Sequence, residues 1–337
     1  MRIIAEVGQN HQGSAALALD YVREFSRMGA TSIKFQKRDL RSLFHKDSLS
    51  RLYDNPNSFG ETYGEHRKKL ELEESEFKAI LDECKKKDIE FICTPFDVAS
   101  VSFLADIGCK IFKISSFDLG NLSLLYKVSL VANEIIMSTG GGTLLHVKKS
   151  YQLLLEQGFR PDAITILHCV SLYPTEAHQL GLMRMNALIA EFPDSTIGLS
   201  DHYTGIVTGS LGYALGARCF EKHVTFNRAW KGTDHAFALE PEGFRKYTRD
   251  IAIAKAALGE SECPTTAYGK EPVFDKLGKT VVSTRMIEKD SILSLEDLTG
   301  LITPYGTISV REMHGLIGKR LNRNIGPGEP IHVSNVE

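Results

Sequence analysis

The chain has 337 residues, with 40 lysines and arginines against 42 aspartates and glutamates, which gives a formal net charge of -2. Hydrophobic residues make up 42% of the sequence and charged residues 24%, ordinary values that favour a folded globular protein over a disordered one. The sequence lacks the basic excess of a dedicated nucleic-acid binder and the roughly 18-residue apolar run of a transmembrane helix.

The start of the chain and its cysteines bear on where the protein works. Residues 1–6 lead directly into a predicted strand, without the longer apolar region and cleavage site of a signal peptide. The 6 cysteines include no C-x-x-C pair, and Cys93, Cys169 and Cys219 lie within apolar runs, which favours buried, reduced thiols. We therefore expect a cytoplasmic protein.

Eight short apolar runs, rich in β-branched residues, alternate with longer amphipathic segments along most of the chain. Such runs predict strands of a parallel sheet, because helices that cover both faces remove the need for alternating polar residues. The predicted strands are residues 3–7, 32–35, 89–94, 110–114, 134–138, 163–169, 196–200 and 218–224. The predicted helices are residues 15–28, 75–87, 121–132, 144–157, 206–215 and 241–258. Eight such units in about 260 residues predict an α/β fold, a closed (β/α)8 TIM barrel, with a doubly wound open sheet as the alternative.

The pattern changes after residue 260. Residues 261–276 are polar and contain Pro264 and Pro272, which is typical of a linker. Over residues 277–337, short strand-like runs alternate with turns and predict a small, mostly β module. We therefore expect a barrel domain over residues 1–260, a linker over residues 261–276 and a second domain over residues 277–337.

Polar side chains stand where each predicted strand of the barrel ends. The C-terminal ends of the strands form the working face of such a barrel, and loop polarity alone would favour both ends equally. The strand ends and the loops after them carry Glu6, Lys34, Lys37, Thr94, Lys113, Ser115, Ser116, Asp118, Ser138, Thr139, Ser171, Tyr173, Ser200, His202, Glu221 and His223. These groups bind anions, metals or protons, so their convergence predicts a functional site at one rim.

Lys34 and Lys113 lie inside apolar runs. Burying a charged lysine costs roughly several kcal/mol unless a bound anion or a carboxylate compensates its charge. Two explanations therefore stay open, a structural ion pair with an aspartate or glutamate, and a bound phosphate or carboxylate ligand. The hydroxyls of Ser115, Ser116 and Ser138 and the glycines at 140–142 are suited to hold phosphate oxygens.

Two histidines end neighbouring predicted strands. His202 and His223 are 21 residues apart, so they cannot share one turn of helix but can meet over the barrel mouth. Two imidazoles with an oxygen ligand suit manganese, zinc or iron, and the alternative is a pair of ordinary buried polar residues. Lys37 and Arg67 lie in or near the long loop after the second strand, either on a solvated face or as contacts for a sugar phosphate. The residues alone thus predict a barrel enzyme with an anionic substrate and a divalent metal.

Five motifs, in this order, resemble the sialic acid synthase family. They are residues 3–13 (IIAEVGQNHQG), 33–37 (IKFQK), 112–116 (FKISS), 199–202 (LSDH) and 221–225 (EKHVT). Residues 276–282 (KLGKTVV) resemble the start of that family's C-terminal antifreeze-like (SAF, β-clip) domain. Residues 63–67 (YGEHR) and 230–235 (WKGTDH) are most similar to the animal-type branch, which uses N-acetylmannosamine 6-phosphate.

The resemblance implies an enzyme that condenses phosphoenolpyruvate (PEP) with an N-acylated hexosamine to a nine-carbon 3-deoxy-2-keto acid and phosphate. It implies a divalent metal, Mn²⁺ or Mg²⁺, on His202 and His223, with Glu6 and Asp118 as further catalytic residues. The residues that it implies for PEP binding are Lys34, Thr94, Lys113, Ser116, Ser138, Ser171 and Ser200. Tyr173 and Asp234 match sugar contacts, and Lys37, Arg67 and Lys68 are candidates for the 6-phosphate.

Three positions depart from the family pattern. Asp118 stands where the family commonly has a glutamate, and Ser171 replaces a frequent asparagine. Thr303 stands where bacterial relatives have an arginine that enters the active site of the partner subunit. The resemblance also implies a domain-swapped homodimer, with each C-terminal domain over the neighbour's barrel. The alternatives are a legionaminic or pseudaminic acid synthase, an enzyme for unphosphorylated N-acetylmannosamine, a binding protein without catalysis and an ice-binding protein.

Overall fold

The computed structural model describes residues 1–259, 272–305 and 308–337. The chain divides into two compact units, Met1–Leu258 and Gly259–Glu337. Most of the predicted linker, with Cys263, lies outside the described residues, as does Gly306. None of the helices in the described parts has the length and apolarity that crossing a membrane requires.

Eight parallel strands close into a barrel in the order of the sequence. The strands are β1 (Arg2–Gly8), β2 (Ser32–Lys37), β3 (Glu90–Pro95), β4 (Ile111–Ile114), β5 (Glu134–Ser138), β6 (Ile164–Cys169), β7 (Thr196–Asp201) and β8 (Cys219–His223). Strand β1 pairs with both β2 and β8, so the sheet has no edge in the barrel. The predicted TIM barrel is confirmed, and the open sheet is wrong.

Eleven α-helices belong to the first unit. They are α1 (Ala15–Arg27), α2 (Leu40–Leu43), α3 (Lys46–Ser50), α4 (Tyr63–Leu70), α5 (Glu74–Lys86), α6 (Val98–Asp106), α7 (Leu122–Ser129), α8 (Leu144–Glu156), α9 (Met185–Glu191), α10 (Val207–Ala214) and α11 (Pro241–Leu258). Each of the six predicted helices is present. Helix α6 was not predicted because its sequence, VASVSFLAD, is apolar on most sides and shows no helical period.

The core of the first unit has two layers. A large outer cluster joins the outward side chains of the strands to the helices, with Phe25, Phe112 and Tyr247 among its fully buried members. A small inner cluster takes one residue from each of six strands and consists of Ile4, Ile92, Ile111, Ile136, Leu167 and Cys219. This apolar inner layer fills the barrel below the C-terminal strand ends, as packing of such barrels requires.

The second unit has its own core and is rich in short strand pairings. Helix α12 (Val273–Leu277) precedes β9 (Thr280–Ser283), which pairs antiparallel with β10 (Leu298–Leu301). Isolated bridges, such as Ile287 with Ile325 and Ile292 with Arg320, connect the remaining segments. Val281, Leu321 and Ile331 are fully buried in this core.

Gly198 in β7 provides a test of the inner layer. A Cβ atom at this position would lie 2.2 Å from the carbonyl oxygen of Cys219 and 2.6 Å from Leu167 Cδ2. Because overpacking a core costs about 1–3 kcal/mol or more, we expect Gly198→Ala to lower the free energy of unfolding by about 3 kcal/mol. Urea denaturation followed by circular dichroism measures this change.

Gly243→Ala is the matched control. Gly243 lies in helix α11, and a Cβ atom there would be at least 3.5 Å from Leu239, an ordinary van der Waals distance. Alanine is favoured over glycine in a helix by roughly 0.5–1 kcal/mol, so this variant should be as stable as the wild type or slightly more stable. Equal stability of the Gly198 and Gly243 variants would contradict the packing of the inner layer.

Candidate active site

A cavity of about 690 Å³ opens at the C-terminal ends of the barrel strands. Every strand contributes at least one side chain to its lining, and the strand residues in it are Glu6, Lys34, Gln36, Thr94, Lys113, Ser138, Cys169, Ser200, Glu221 and His223. The loops add, among others, Arg38, Arg67, Ser116, Tyr173, His202 and Asp234. The chain thus brings polar groups from positions 6 to 234 to one rim, as the sequence predicts.

Four buried charges form a network at the base of this cavity. Lys34 Nζ lies 2.8 Å from Glu6 Oε2 and 3.7 Å from Glu221 Oε2, and Lys113 Nζ is also 3.7 Å from Glu221 Oε2. All four side chains are buried. Of the two explanations for the lysines, the ion pair is therefore present, and both ammonium groups also face the cavity.

Hydroxyl groups complete the contacts of the two lysines. Lys34 donates a hydrogen bond of 3.2 Å to Thr94 Oγ1, and Lys113 donates one of 2.6 Å to Ser138 Oγ. Ser200 donates to Glu221 at 3.0 Å. Glu6 Oε2, at 2.8 Å from Lys34 Nζ, and Glu221 Oε2, at 3.7 Å from both ammonium groups, take part in these ion pairs. The network is thus charge-balanced, and its ammonium groups also line the cavity.

The two carboxyl groups differ in their affinity for protons. Burial raises the pKa of Glu6 above its ordinary value, and the attraction of Lys34 offsets this effect only in part. Burial also opposes ionisation of Glu221, but Lys113 and Lys34 outweigh it and lower the pKa of Glu221 to about 2. Two neighbouring carboxyl groups whose pKa values are driven apart are suited to separate acid and charge-stabilising roles.

His202 and His223 meet at the rim, with ring centroids 5.4 Å apart. His202 Nδ1 donates to the carbonyl oxygen of Val170 at 2.8 Å, so Nε2 is the nitrogen that faces Cys169. Burial lowers the pKa of His202, but the hydrogen bond and charge of Cys169 outweigh burial and raise it above its ordinary value. His223 Nδ1 is buried, has no hydrogen-bond partner in the described part of the chain and lies 4.0 Å from Asp234 Oδ2. Burial lowers the pKa of His223 to about 3, so its imidazole is neutral, as metal binding requires.

These two imidazoles fit a metal as a pair of protein ligands. Within residues 1–259, 272–305 and 308–337, no group of three histidine, cysteine, aspartate or glutamate side chains is arranged to hold a metal ion.

A buried ion pair behind the histidines was missed by the sequence analysis. Lys222 Nζ lies 2.6 Å from Asp201 Oδ2, and both residues are buried. Asp201 also accepts hydrogen bonds from the backbone of Tyr203 and from Thr208. Asp201 and Lys222 immediately precede the two histidines in the sequence, in the motifs SDH and EKH. Because side chains alternate along a strand, these motifs could have predicted that Asp201 and Lys222 lie on the opposite face from the histidines.

Four predicted site residues, Lys37, Lys68, Asp118 and Ser171, are not among the side chains that line the cavity in the described parts. Lys37 lies 3.1 Å from Glu71 and over the ring of Phe103, because Lys34 and Gln36 face inward and alternation turns Lys37 outward. Asp118 accepts hydrogen bonds from Ser115 and Asn121 within its own turn. Ser171 lies beside the lining, since a Cβ atom at position 140 would meet both Ser171 Oγ and Ser116 Oγ. The roles expected for these residues stay predictions.

Cys169 lines the cavity and was predicted only as a buried thiol. Burial favours the neutral thiol, but the hydrogen bond and charge of His202 outweigh it and lower the pKa of Cys169 to about 7. The hydroxyl of Ser116 donates to its sulfur at 3.5 Å. Arg38, whose side chain also faces the cavity, was not predicted at all, since it follows the last residue of β2.

Comparison with known proteins identifies similar chains. The sequence profile of the NeuB family matches residues 21–263. An N-acetylneuraminate-9-phosphate synthase of Drosophila melanogaster is 32% identical, over 98% of this chain and 94% of that protein. An N,N'-diacetyllegionaminic acid synthase of Campylobacter jejuni is 31% identical, over 98% of each chain. The crystal structure of a putative spore coat polysaccharide biosynthesis protein E from Chromobacterium violaceum covers 99% of each chain, with 25% identity and a TM-score of 0.79.

Glu221→Gln tests the buried network. Removing one partner of a buried ion pair leaves uncompensated charge, so we expect this variant to lose about 3 kcal/mol of unfolding free energy at pH 7. Because the folded-state pKa of Glu221 lies below its ordinary value of 4.5, the loss should be complete above that pH and fade as the pH falls toward 2. Urea titrations at several pH values measure it.

The control is Glu242→Gln, the same chemical change in an exposed pair with Arg245. We expect no measurable change in stability there, since exposed ion pairs contribute little. A Glu221 variant as stable at pH 7 as this control would refute a charge-balancing role for Glu221.

Proposed function

This chain belongs to the NeuB family, and from that membership we propose that it condenses PEP with an N-acylated hexosamine to a nine-carbon 3-deoxy-2-keto sugar acid, as a sialic-acid-synthase-type enzyme. The observation that carries the proposal is the pair of buried lysines, Lys34 and Lys113, that face one cavity beside two histidines. PEP brings two anionic groups, a carboxylate and a phosphate, and the lysines supply two matching cations.

In the proposed complex, the anionic groups of PEP contact Lys34 and Lys113 from the cavity, while Glu6 and Glu221 stay beside the lysines. Hydroxyl donors around it come from four residues of the cavity lining, Thr94, Ser116, Ser138 and Ser200. The glycine at position 140 belongs to this binding surface, because a Cβ atom there would meet Ser171 Oγ at 2.2 Å and Ser116 Oγ at 2.7 Å. Fixed donors of this kind hold the substrate in one orientation and stabilise charge as it develops.

The reaction forms one carbon–carbon bond and breaks one carbon–oxygen bond. C3 of PEP bonds to C1 of the open-chain sugar, and the aldehyde oxygen takes a proton. C2 of PEP then carries positive charge, water adds to it, and the bond from C2 to the phosphate oxygen breaks as the keto group forms. We assign proton transfer to Glu6, whose raised pKa suits it, and stabilisation of the charge at C2 to ionised Glu221.

His202 and His223 are the residues that we propose as ligands of a divalent metal, Mn²⁺ or Mg²⁺. Their support is the unpartnered nitrogen of His223 and the neutral state that burial gives its ring. Such an ion, when bound, supplies Lewis acidity toward an aldehyde oxygen. Tyr173, whose ring centroid lies 4.2 Å from that of His202, and Asp234 stand beside the pair and are our candidates to orient the sugar.

The acceptor and the assembly are further parts of the proposal. The Drosophila relative supports N-acetylmannosamine 6-phosphate as acceptor, and the Campylobacter relative keeps a legionaminic acid synthase as the alternative. We also propose a domain-swapped homodimer in the cytoplasm, whose C-terminal unit is an antifreeze-like domain with Thr303 at the position of the family's arginine. Buried free thiols at Cys84, Cys93 and Cys109 support the reducing compartment.

A coupled assay tests the proposed reaction. Purified protein with Mn²⁺ should release phosphate from PEP only when an aminosugar acceptor is present, and mass spectrometry should find a nine-carbon keto acid. Omitting the acceptor is the control for simple PEP hydrolysis. If N-acetylmannosamine, its 6-phosphate and a 2,4-diacetamido hexose all fail to support release, the synthase proposal is wrong.

His223→Gln tests the metal ligands independently of turnover. We expect the variant to keep its circular dichroism spectrum and to lose Mn²⁺ binding, because one of two protein ligands is gone. Electron paramagnetic resonance of free Mn²⁺ measures the bound fraction directly. His178→Gln, at an exposed position, should bind as the wild type does. Undiminished Mn²⁺ binding by the His223 variant would exclude that residue as a ligand.

A further inference from the structure

The cavity holds a second pair of cations that the PEP site does not use. Besides Lys34 and Lys113, the basic side chains in its lining are Arg38 and Arg67, as far as the described residues show. The carboxylates in the same lining are Glu6, Glu221 and Asp234. Since Glu6 and Glu221 lie beside the lysines, Asp234 is the remaining carboxylate of the described lining; its charge acts on Arg38, and it lies 4.0 Å from His223. Beyond the lysine network, the described lining therefore carries two arginines and one carboxylate.

Arg38 is buried and firmly oriented. Its Nη2 donates to Gln36 Oε1 at 2.6 Å, and its guanidinium carbon lies 3.9 Å from the ring centroid of Phe96. The nearest carboxylate oxygen of Glu71 is 3.9 Å from Nη1, beyond hydrogen-bond distance, while Lys37 takes Glu71 at 3.1 Å. Arg38 thus has an aromatic support and an amide acceptor, and its guanidinium faces Glu71 at ion-pair distance without a hydrogen bond to it.

Arg67 lies on helix α4, and residues of that helix and of the loop after β1 orient its side chain. Its Nε donates to Tyr63 Oη at 2.8 Å, and its Nη1 donates to Gln9 Oε1. The Tyr63 ring packs edge-to-face against Phe44, with centroids 5.4 Å apart. A guanidinium has five N–H donors, and these two hydrogen bonds leave three for a ligand in the cavity.

The two guanidiniums disturb each other. Burial, and then the positive charge of Arg67, lower the pKa of Arg38 to about 10. A group with several negative charges placed between them would relieve this repulsion. Phosphate matches it best, because two guanidiniums can each offer paired N–H donors to its oxygens.

We propose that Arg38 and Arg67 form the subsite for a terminal phosphate on the acceptor sugar, separate from the lysine site for PEP. This inference rests on the proposed function, since it presumes that an acceptor sugar enters the same cavity. It replaces Lys37, which faces Glu71 outside the cavity lining, as the cation expected to contact the sugar phosphate. The arginine pair then decides between phosphorylated and unphosphorylated acceptors.

The test compares two acceptors, N-acetylmannosamine 6-phosphate and N-acetylmannosamine, in the wild type and in Arg38→Gln and Arg67→Gln. Losing a charged hydrogen-bond partner should lower kcat/KM for the phosphorylated acceptor roughly 10- to 100-fold in each variant. The values for N-acetylmannosamine and the KM for PEP should stay within about twofold. Arg38→Lys should fall in between, because it keeps the charge and loses the paired donors. Lys69→Gln, an exposed change on helix α4, should match the wild type.

Calorimetric binding of the two acceptors separates this inference from the proposed reaction. Tighter binding of the 6-phosphate that both arginine variants lose supports the subsite even if no acceptor is turned over, in which case only the proposed reaction fails. Equal binding of the two acceptors by the wild type overturns the subsite, and so does an equal loss for both acceptors in the variants. Melting curves verify that each variant is folded, and Arg38→Lys replaces any variant that is not.

Discussion

The structure depends on four charges buried at the mouth of a closed barrel. Lys34 and Lys113 can lie there only because Glu6 and Glu221 lie within 4 Å of them. Burying ions is costly, and apolar residues of similar size would serve stability as well or better, so a buried network of this kind indicates a function. Its carboxylates hold the lysines in place by ion pairs, and the ammonium groups also line the cavity in which an anionic substrate would bind.

The remaining polar groups arrange the cavity around that network. The histidine pair stands on the ends of β7 and β8, where the outward-facing Asp201–Lys222 pair fixes the same two strand ends from behind. Asp234 connects this pair with Arg38, since it lies 4.0 Å from His223 and its charge acts on Arg38. One cavity thereby holds two lysines and two arginines, with the neutral imidazole of His223 at its rim. In the proposed function, these separate cations bind PEP and a phosphorylated sugar.

Much of this could be read from the sequence, because parallel strands buried on both faces are short apolar runs and each ends at the same rim. It was harder to predict whether a given side chain faces the cavity or the outside of the barrel. Alternation along β2 turns Lys34 and Gln36 inward and Lys37 outward, so the outward position of Lys37 could have been predicted from the sequence. The position of Arg38 could not, because it follows the strand in a loop, where side chains do not alternate. Asp118 was assigned by resemblance, and its turn uses the carboxylate for local hydrogen bonds. Helix α6 lacked a polar face that could reveal its period.

A crystal structure of the protein soaked with PEP would examine the buried network most directly. We predict PEP at the base of the barrel mouth, with its anionic oxygens at about 2.8 Å from the ammonium groups of both Lys34 and Lys113 and with Glu221 still ionised beside them. PEP bound elsewhere, with the lysines retained by Glu6 and Glu221, would contradict the assignment of this site.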